Sequence, residues 1–300
     1  MLNTLKQIVR KKLLYAKPSG PYNFLVGKLH MGMDVDLAEE VVSSGYFSEV
    51  LEPQPIDVEK LKKVLIIAPH QDDEAIGCGG LLSELSLRGA EITLVFVTDG
   101  RPIGVSPQDE INTRSVESHM VAKALNANII ELGINNVSLE IEAAHVKKLA
   151  DICENQWSGI FTPWVLDRPY KHRIVNYLLS VAMKKMAYST QVFCYQIHSP
   201  LIPNTIFDYT GLLEKKQELI NFYESQLKWQ SYHHLSQGLD AWNSRFLPPS
   251  ETTSYAECYT QLPLSAFRKL VALYDKNPKQ AFQNNEDCLK AYSNLKNGKP

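Results

Sequence analysis

The first regular pattern along the chain is helical. Leu2, Leu5, Val9 and Leu13 recur at helical spacing, with Ile8 and Leu14 beside them and Lys6, Arg10 and Lys12 interspersed, until Pro18, Ser19 and Gly20 stop it. Residues 21–60 lack strong periodicity and contain Pro53 and Pro55, so they read as an irregular lead-in. The pattern then changes. Val64 to Ala68 is a short, wholly apolar run rich in β-branched side chains, as expected of a strand buried on both faces. Over residues 75–88, Ile76, Leu81, Leu82, Leu85 and Leu87 follow a helical pattern closed by Gly89. Further strands are predicted at 92–97, 128–132, 159–162 and 192–197, separated by helices over 110–125, 141–155 and 172–188.

Strand and helix alternating at this rhythm mean βαβ units and a mostly parallel sheet. Right-handed crossovers then place helices on both faces, a Rossmann-like α/β fold. After Thr210 the pattern turns mainly helical, over 211–230 and 263–274. The tail from Lys276 is polar, rich in Asn and Lys, and is expected to be loosely held. The chain divides accordingly into an N-terminal extension (1–60), an α/β domain (61–260), and a C-terminal helix with its tail (261–300).

Composition adds exclusions. With 44% hydrophobic and 21% charged residues the chain is ordinary globular protein, not a disordered or fibrous one. A net charge of -2 argues against a dedicated nucleic-acid binder. That total hides an asymmetry. Before Asp34 there are six basic residues (Lys6, Arg10, Lys11, Lys12, Lys17, Lys28) and no acidic one, so the remainder carries -8. A basic amphipathic helix suits the interface of an anionic leaflet, and it equally suits docking on its own domain or on a second subunit. Peripheral membrane contact through residues 1–17 and a homo-oligomer are therefore both open. No apolar run approaches the roughly 18 residues of a membrane span, and no uninterrupted apolar stretch marks a signal peptide. Cys78, Cys153, Cys194, Cys258 and Cys288 are odd in number, widely spaced and without a C-x-x-C pair, which fits a reducing cytosol better than a disulfide framework.

The chemistry concentrates after the first strand. Pro69-His70-Gln71-Asp72-Asp73-Glu74 is followed by the glycine-rich Gly77-Cys78-Gly79-Gly80. Acids packed together raise one another's pKa, a cost that a bound divalent cation removes. His70 and Asp73 are metal-ligand types that suit zinc, with another divalent cation as the alternative. Asp72 would point elsewhere and serve as general base to a water. The competing reading is an acidic loop that caps the helix dipole. The glycines do not form G-x-G-x-x-G, so dinucleotide binding is disfavoured.

These residues resemble the PIG-L/LmbE-type N-acetylglucosaminyl deacetylases. The family hallmark is A-H-P-D-D-E or P-H-P-D-D-E, then G-x-G-G, then a strand ending in T-D-G. Here it reads Ala68-Pro69-His70-Gln71-Asp72-Asp73-Glu74, Gly77-Cys78-Gly79-Gly80 and Thr98-Asp99-Gly100, with Gln71 in place of the usual proline. Arg114-Ser115-Val116-Glu117 matches R-x-x-E on the next helix, and Pro200 to Asn204, Asp208, Lys216, Ser225-Gln226 and Ala256-Glu257 fall in the order of bacterial members. The resemblance covers roughly residues 62–260.

It implies a metal-dependent hydrolase that removes acetyl groups from amino sugars. Carried over, His70 and Asp73 bind zinc, Asp72 is the base, and His172 is the third ligand. In the family's H-P-D-H motif the first His falls on Pro169 here and the Asp on Lys171. The missing His helps stabilise the tetrahedral intermediate in the family. His198, which follows a strand and stands at the same rim, is the candidate replacement, with Tyr170 and Lys171 as others. Arg114 and Glu117, one turn apart, would border the sugar, although their spacing equally serves a surface ion pair. Asp99 would stand there too, or behind a ligand His.

The leading expectation is deacetylation of an N-acetylated sugar on a glycan, glycolipid or nucleotide carrier. A deacetylase or amidase of a small thiol glycoside conjugate is the near alternative. A non-catalytic carbohydrate-binding protein is the alternative from another class, motivated by Pro169 and Lys171.

Overall fold

The computed structural model describes residues 35–47, 52–101 and 107–298, so the basic helix and membrane contact expected of residues 1–17 lie outside the described residues. Among those described, eight strands form one sheet: β1 (Gln54–Pro55), β2 (Lys63–Ala68), β3 (Glu91–Thr98), β4 (Asn128–Ile134), β5 (Gly159–Pro163), β6 (Gln191–Tyr195), β7 (Thr205–Asp208) and β8 (Ala256–Pro263). Their order is β1-β7-β8-β6-β5-β2-β3-β4. The pairings β1–β7, β2–β3, β2–β5, β3–β4 and β5–β6 are parallel, whereas β8 runs antiparallel to both β6 and β7.

The helices are α1 (Val35–Val42), α2 (Asp73–Leu87), α3 (Pro107–Ala124), α4 (Ala143–Cys153), α5 (Tyr170–Ala182), α6 (Leu213–Asn221), α7 (Glu224–Leu227), α8 (Tyr232–Asn243), α9 (Leu264–Val271), α10 (Pro278–Ala281) and α11 (Glu286–Lys296). The apolar run of β2 is completely buried from Val64 to Ala68, as a strand covered on both faces must be. β2 lies between β3 and β5, where the strand order reverses. Loops leaving the carboxyl ends of β2 and β5 therefore part to opposite faces and open a crevice.

α2 carries the acidic motif and is held close to its neighbours. A Cβ at Gly77 would overlap the ring of Tyr195, and one at Gly80 would overlap that of Tyr209. The glycines are needed for this approach. On the same side the Glu257 carboxylate accepts from the amides of Gly80 (2.7 Å) and Leu81 (2.9 Å). It also pairs with the buried Lys216 ammonium at 2.8 Å, which meets Asp240 at 2.7 Å. Each charge in this cluster has a partner. Deleting one would strand another in the core, at a cost of about 3–5 kcal/mol.

Three expectations need correction. The lead-in is not wholly irregular: α1 buries Leu37, Ala38 and Val41, and β1 pairs with β7. The 211–230 segment is not one helix but α6 and α7, interrupted at Phe222 and Tyr223. The tail is not loose. Phe282 is fully buried, and α11 buries Cys288, Ala291, Tyr292 and Leu295. Their spacing is one helical stripe, diluted in the sequence by the polar face around it. The strands β7 and β8 were absent from the sequence reading because β8 carries Glu257 and Gln261. These polar residues have partners that lie elsewhere in the chain: the α2 amides, and Asn204, whose Oδ1 accepts from the Gln261 amide at 2.6 Å.

Candidate metal centre

β2 ends at Ala68, and the next residues turn sharply into α2. The His70 amide donates to Asp73 Oδ2 at 2.9 Å, closing the loop so that imidazole and carboxylate stand together. His172 enters from the first turn of α5, beyond β5. Its Nε2 is 3.3 Å from His70 Nδ1 and 3.4 Å from Asp73 Oδ2, and His70 Nδ1 is 3.1 Å from Asp73 Oδ2. Around a tetrahedral zinc with bonds of about 2.0–2.1 Å, ligand atoms lie roughly 3.3–3.4 Å apart. The three atoms therefore have the spacing of one face of such a site. Among the described residues this is the one group of three or more such ligands.

Electrostatics agree with the geometry. The Asp167 carboxylate, fully buried, lies 2.8 Å from His172 Nδ1. An ionised carboxylate only accepts, so Nδ1 carries the proton and Nε2 offers a lone pair to the centre. Burial opposes charge on Asp73, but His172 and His70 outweigh it and hold its pKa below the usual carboxylate range. Burial likewise opposes a charged His172, yet Asp73 and Asp167 outweigh it and raise its pKa. With neutral rings, three lone pairs converge with no proton between them. That arrangement repels itself unless a cation fills it. The donor set thus fits a divalent metal.

Asp72 occupies a strained backbone conformation at φ 135° and initiates α2. Such strain in a non-glycine residue is tolerated where surroundings over-determine it, which is common at functional sites. Burial, then the charge of Asp73, push its carboxyl well above the ordinary range, against the pull of Arg114. Glu74 is fully buried, accepts from the Tyr223 hydroxyl at 2.5 Å, and is raised by burial to about 7.

The other predicted residues divide. His198 is exposed at the rim, its ring 5.7 Å from that of His172, and its backbone amide donates to Asp167 Oδ1 at 3.2 Å. Arg114 donates to Gln226 Oε1, and among the described residues its buried Nε has no hydrogen-bond acceptor. Glu117 spends both carboxylate oxygens on Ser225, accepting from its amide at 2.7 Å and its hydroxyl at 2.6 Å. It is buried, so the surface ion pair weighed from spacing does not form. Asp99 accepts from the Asn136 amide at 3.0 Å and pairs with Arg101. The Tyr170 hydroxyl accepts from Asn285 at 3.2 Å, and Lys171 turns its ammonium onto Asn136.

Asp167 and Asn136 had no role in the sequence-based expectations, and Gln226 entered them only by its order in the chain. Asp167 is five residues before His172, and Asn136 is just past β4. The signal that could have found them is position: both are polar residues following the carboxyl ends of strands, where ligands bind.

Residues 65–183 match the family model described as PIG-L: GlcNAc-PI de-N-acetylase. A diacetylchitobiose deacetylase of Thermococcus kodakarensis is 27% identical over 207 residues, 57% of this chain and 75% of that protein. The solved structure of N,N'-diacetylchitobiose deacetylase from Pyrococcus horikoshii aligns with a TM-score of 0.59 at 23% identity, covering 77% of this chain and 93% of that one. GalB, the 4-carboxy-2-hydroxymuconate hydratase of Pseudomonas putida, aligns with a TM-score of 0.58 at 18% identity, covering 67% and 96%. These two structural likenesses are ones of fold.

Proposed function

This chain carries the PIG-L/LmbE-type deacetylase family fold, and from that premise we propose that it is a zinc-dependent hydrolase that removes the N-acetyl group of an N-acetylated amino sugar and releases acetate. One observation carries the reading. His70, Asp73 and His172 converge on one point, and the residue beside Asp73 is a strained, buried carboxylate with a raised pKa. A carbohydrate-binding protein has no use for a base next to a metal seat. The fold alone does not decide the reaction, since GalB is a hydratase.

Bound in this seat, a divalent cation supplies Lewis acidity to an acetamide carbonyl and to water. The protein's part follows from its own groups. Asp72 takes the proton of the attacking water, a task suited by a carboxyl pKa that burial and the charge of Asp73 raise above the ordinary range. His198, at the rim beside His172, donates a hydrogen bond to the developing oxyanion in place of the His that Pro169 displaces. Protonated Asp72 then returns its proton to the departing amine, so acetate and a free amino sugar result. The Nε–H of Arg114 lies 3.7 Å from Glu110 Oε1 and has no hydrogen-bond acceptor among the described residues, so it is ready to donate to a sugar hydroxyl.

Asp72→Asn decides the matter. The variant is expected to keep zinc and to lose about 10²–10⁴-fold in acetate release, measured by mass spectrometry across a panel of N-acetylated sugar conjugates. Binding of such conjugates by the wild type without acetate release would sink the enzymatic reading.

A further inference from the structure

His70 and His172 face the same point through different ring nitrogens, Nδ1 of the first and Nε2 of the second. Two opposite tautomers must therefore be held. For His172 a buried carboxylate does this. For His70 the partner is an amide, and an amide can present a donor or an acceptor.

Two contacts decide which. Asn136 Nδ2 donates to the Arg101 carbonyl at 3.0 Å, and a carbonyl oxygen only accepts. Asn136 Oδ1 lies 3.2 Å from Lys171 Nζ, and an ammonium only donates. The amide is thereby oriented, and the atom 3.0 Å from His70 Nε2 is the acceptor Oδ1. His70 must carry its proton on Nε2, which leaves the Nδ1 lone pair facing the triad. Lys171 Nζ donates to the Asn136 carbonyl as well, and Asp99 accepts the Asn136 amide. All four polar atoms of Asn136 are fixed.

The place of Lys171 is otherwise unfavourable. It sits in the first turn of α5, where the helix dipole disfavours a cation. The oxygen atoms of Asn136 give that charge a purpose.

We propose that Lys171 is a positioning residue which, through Asn136, locks His70 in its Nε2–H tautomer and so keeps Nδ1 open to a divalent cation. This role differs from the one the sequence offered for Lys171, a stand-in for the family's missing His. The inference takes its cation from the proposed metal centre but is independent of deacetylation.

The test uses the full chain. In the chelator-treated protein, above the titration of His70, ¹⁵N shifts are expected to show the proton on Nε2. Lys171→Met should raise the Nδ1–H population and weaken Zn²⁺ binding about 10-fold or more, read by competition with a chromophoric chelator. Asn136→Ala should do the same, and the double variant should be no worse than either single one. His70 protonated on Nδ1 in the wild type overturns the proposal. So does undiminished zinc affinity in a folded Lys171→Met protein. If that variant does not fold, the wild-type tautomer and Asn136→Ala decide. A wild type that binds no Zn²⁺ overturns the metal reading, while the tautomer result still judges this one.

Discussion

Asp167 Oδ2 lies 2.8 Å from His172 Nδ1, and neither side chain reaches solvent. The same carboxylate accepts from the amides of His198 and Ser199 through its other oxygen. One buried acid thus sets the tautomer of a metal ligand and anchors the rim loop after β6 that presents His198. Asp167→Asn keeps the shape but removes the charge that makes Nε2 a strong donor. Zinc affinity should fall about 10–100-fold, measured by chelator competition. Unchanged affinity would remove Asp167 from the metal centre.

His198→Ala separates catalysis from metal binding. The bond to Asp167 comes from the backbone amide, so deleting the ring leaves that anchor in place. Acetate release should drop on the order of 10²–10³-fold, as for loss of one oxyanion donor. Zinc content by metal analysis should stay at the wild-type level. A variant with full activity would leave the replacement for the missing His unassigned.

The acid side of the pH–rate profile should report Asp72. A base works only when ionised, and burial with the charge of Asp73 raises its pKa above the ordinary carboxylate range. Activity should therefore be lost as pH falls at a midpoint above that range, with zinc still bound. Parallel measurement of zinc content at each pH checks this. Loss of activity that tracks loss of zinc would credit the ligands instead.

Glu74 makes stability pH-dependent. Its folded pKa is raised from 4.5 to about 7 by burial. The folded state thus binds its proton more tightly than the unfolded one. The benefit is full below the unfolded pKa and lost as pH rises through about 7. Glu74→Gln should match wild type in acid and exceed it above neutrality, by at most about 3 kcal/mol. Urea unfolding of the chelator-treated proteins at pH values on either side of that window tests it. An equal difference at both would point to packing, not titration.

Removing residues 277–300 tests the tail. Phe282, Cys288, Tyr292 and Leu295 are buried, and the Arg173 guanidinium donates to the Ala281 carbonyl at 2.9 Å. At roughly 1.5–3 kcal/mol for each large apolar side chain, stability should fall by several kcal/mol, a drop of roughly 10 °C or more in Tm. Calorimetry showing an unchanged Tm would restore the loosely held tail.

Periodicity alone was enough for the five parallel strands β2 to β6. β2 reads as a buried strand because a strand covered on both faces needs an unbroken apolar run, and Val64 to Ala68 supply one. His70, Asp72 and Asp73 were legible for a related reason: acids and an imidazole crowded after such a strand have no cheap explanation without a cation. What depends on distant partners was not legible. β8 hides its strand character behind Glu257, whose reason for burial is the amides of α2, 176 and 177 positions away. The stripe of α11 makes sense only against α5. Local sequence says which side chains can accept or donate, but the tautomers of His70 and His172 depend on which groups stand opposite them. Asp167, Asn136 and Lys171 take those places only once β5, β2, β3 and β4 are laid in that order in the sheet, so the chemistry was written locally and its orientation was decided by the fold.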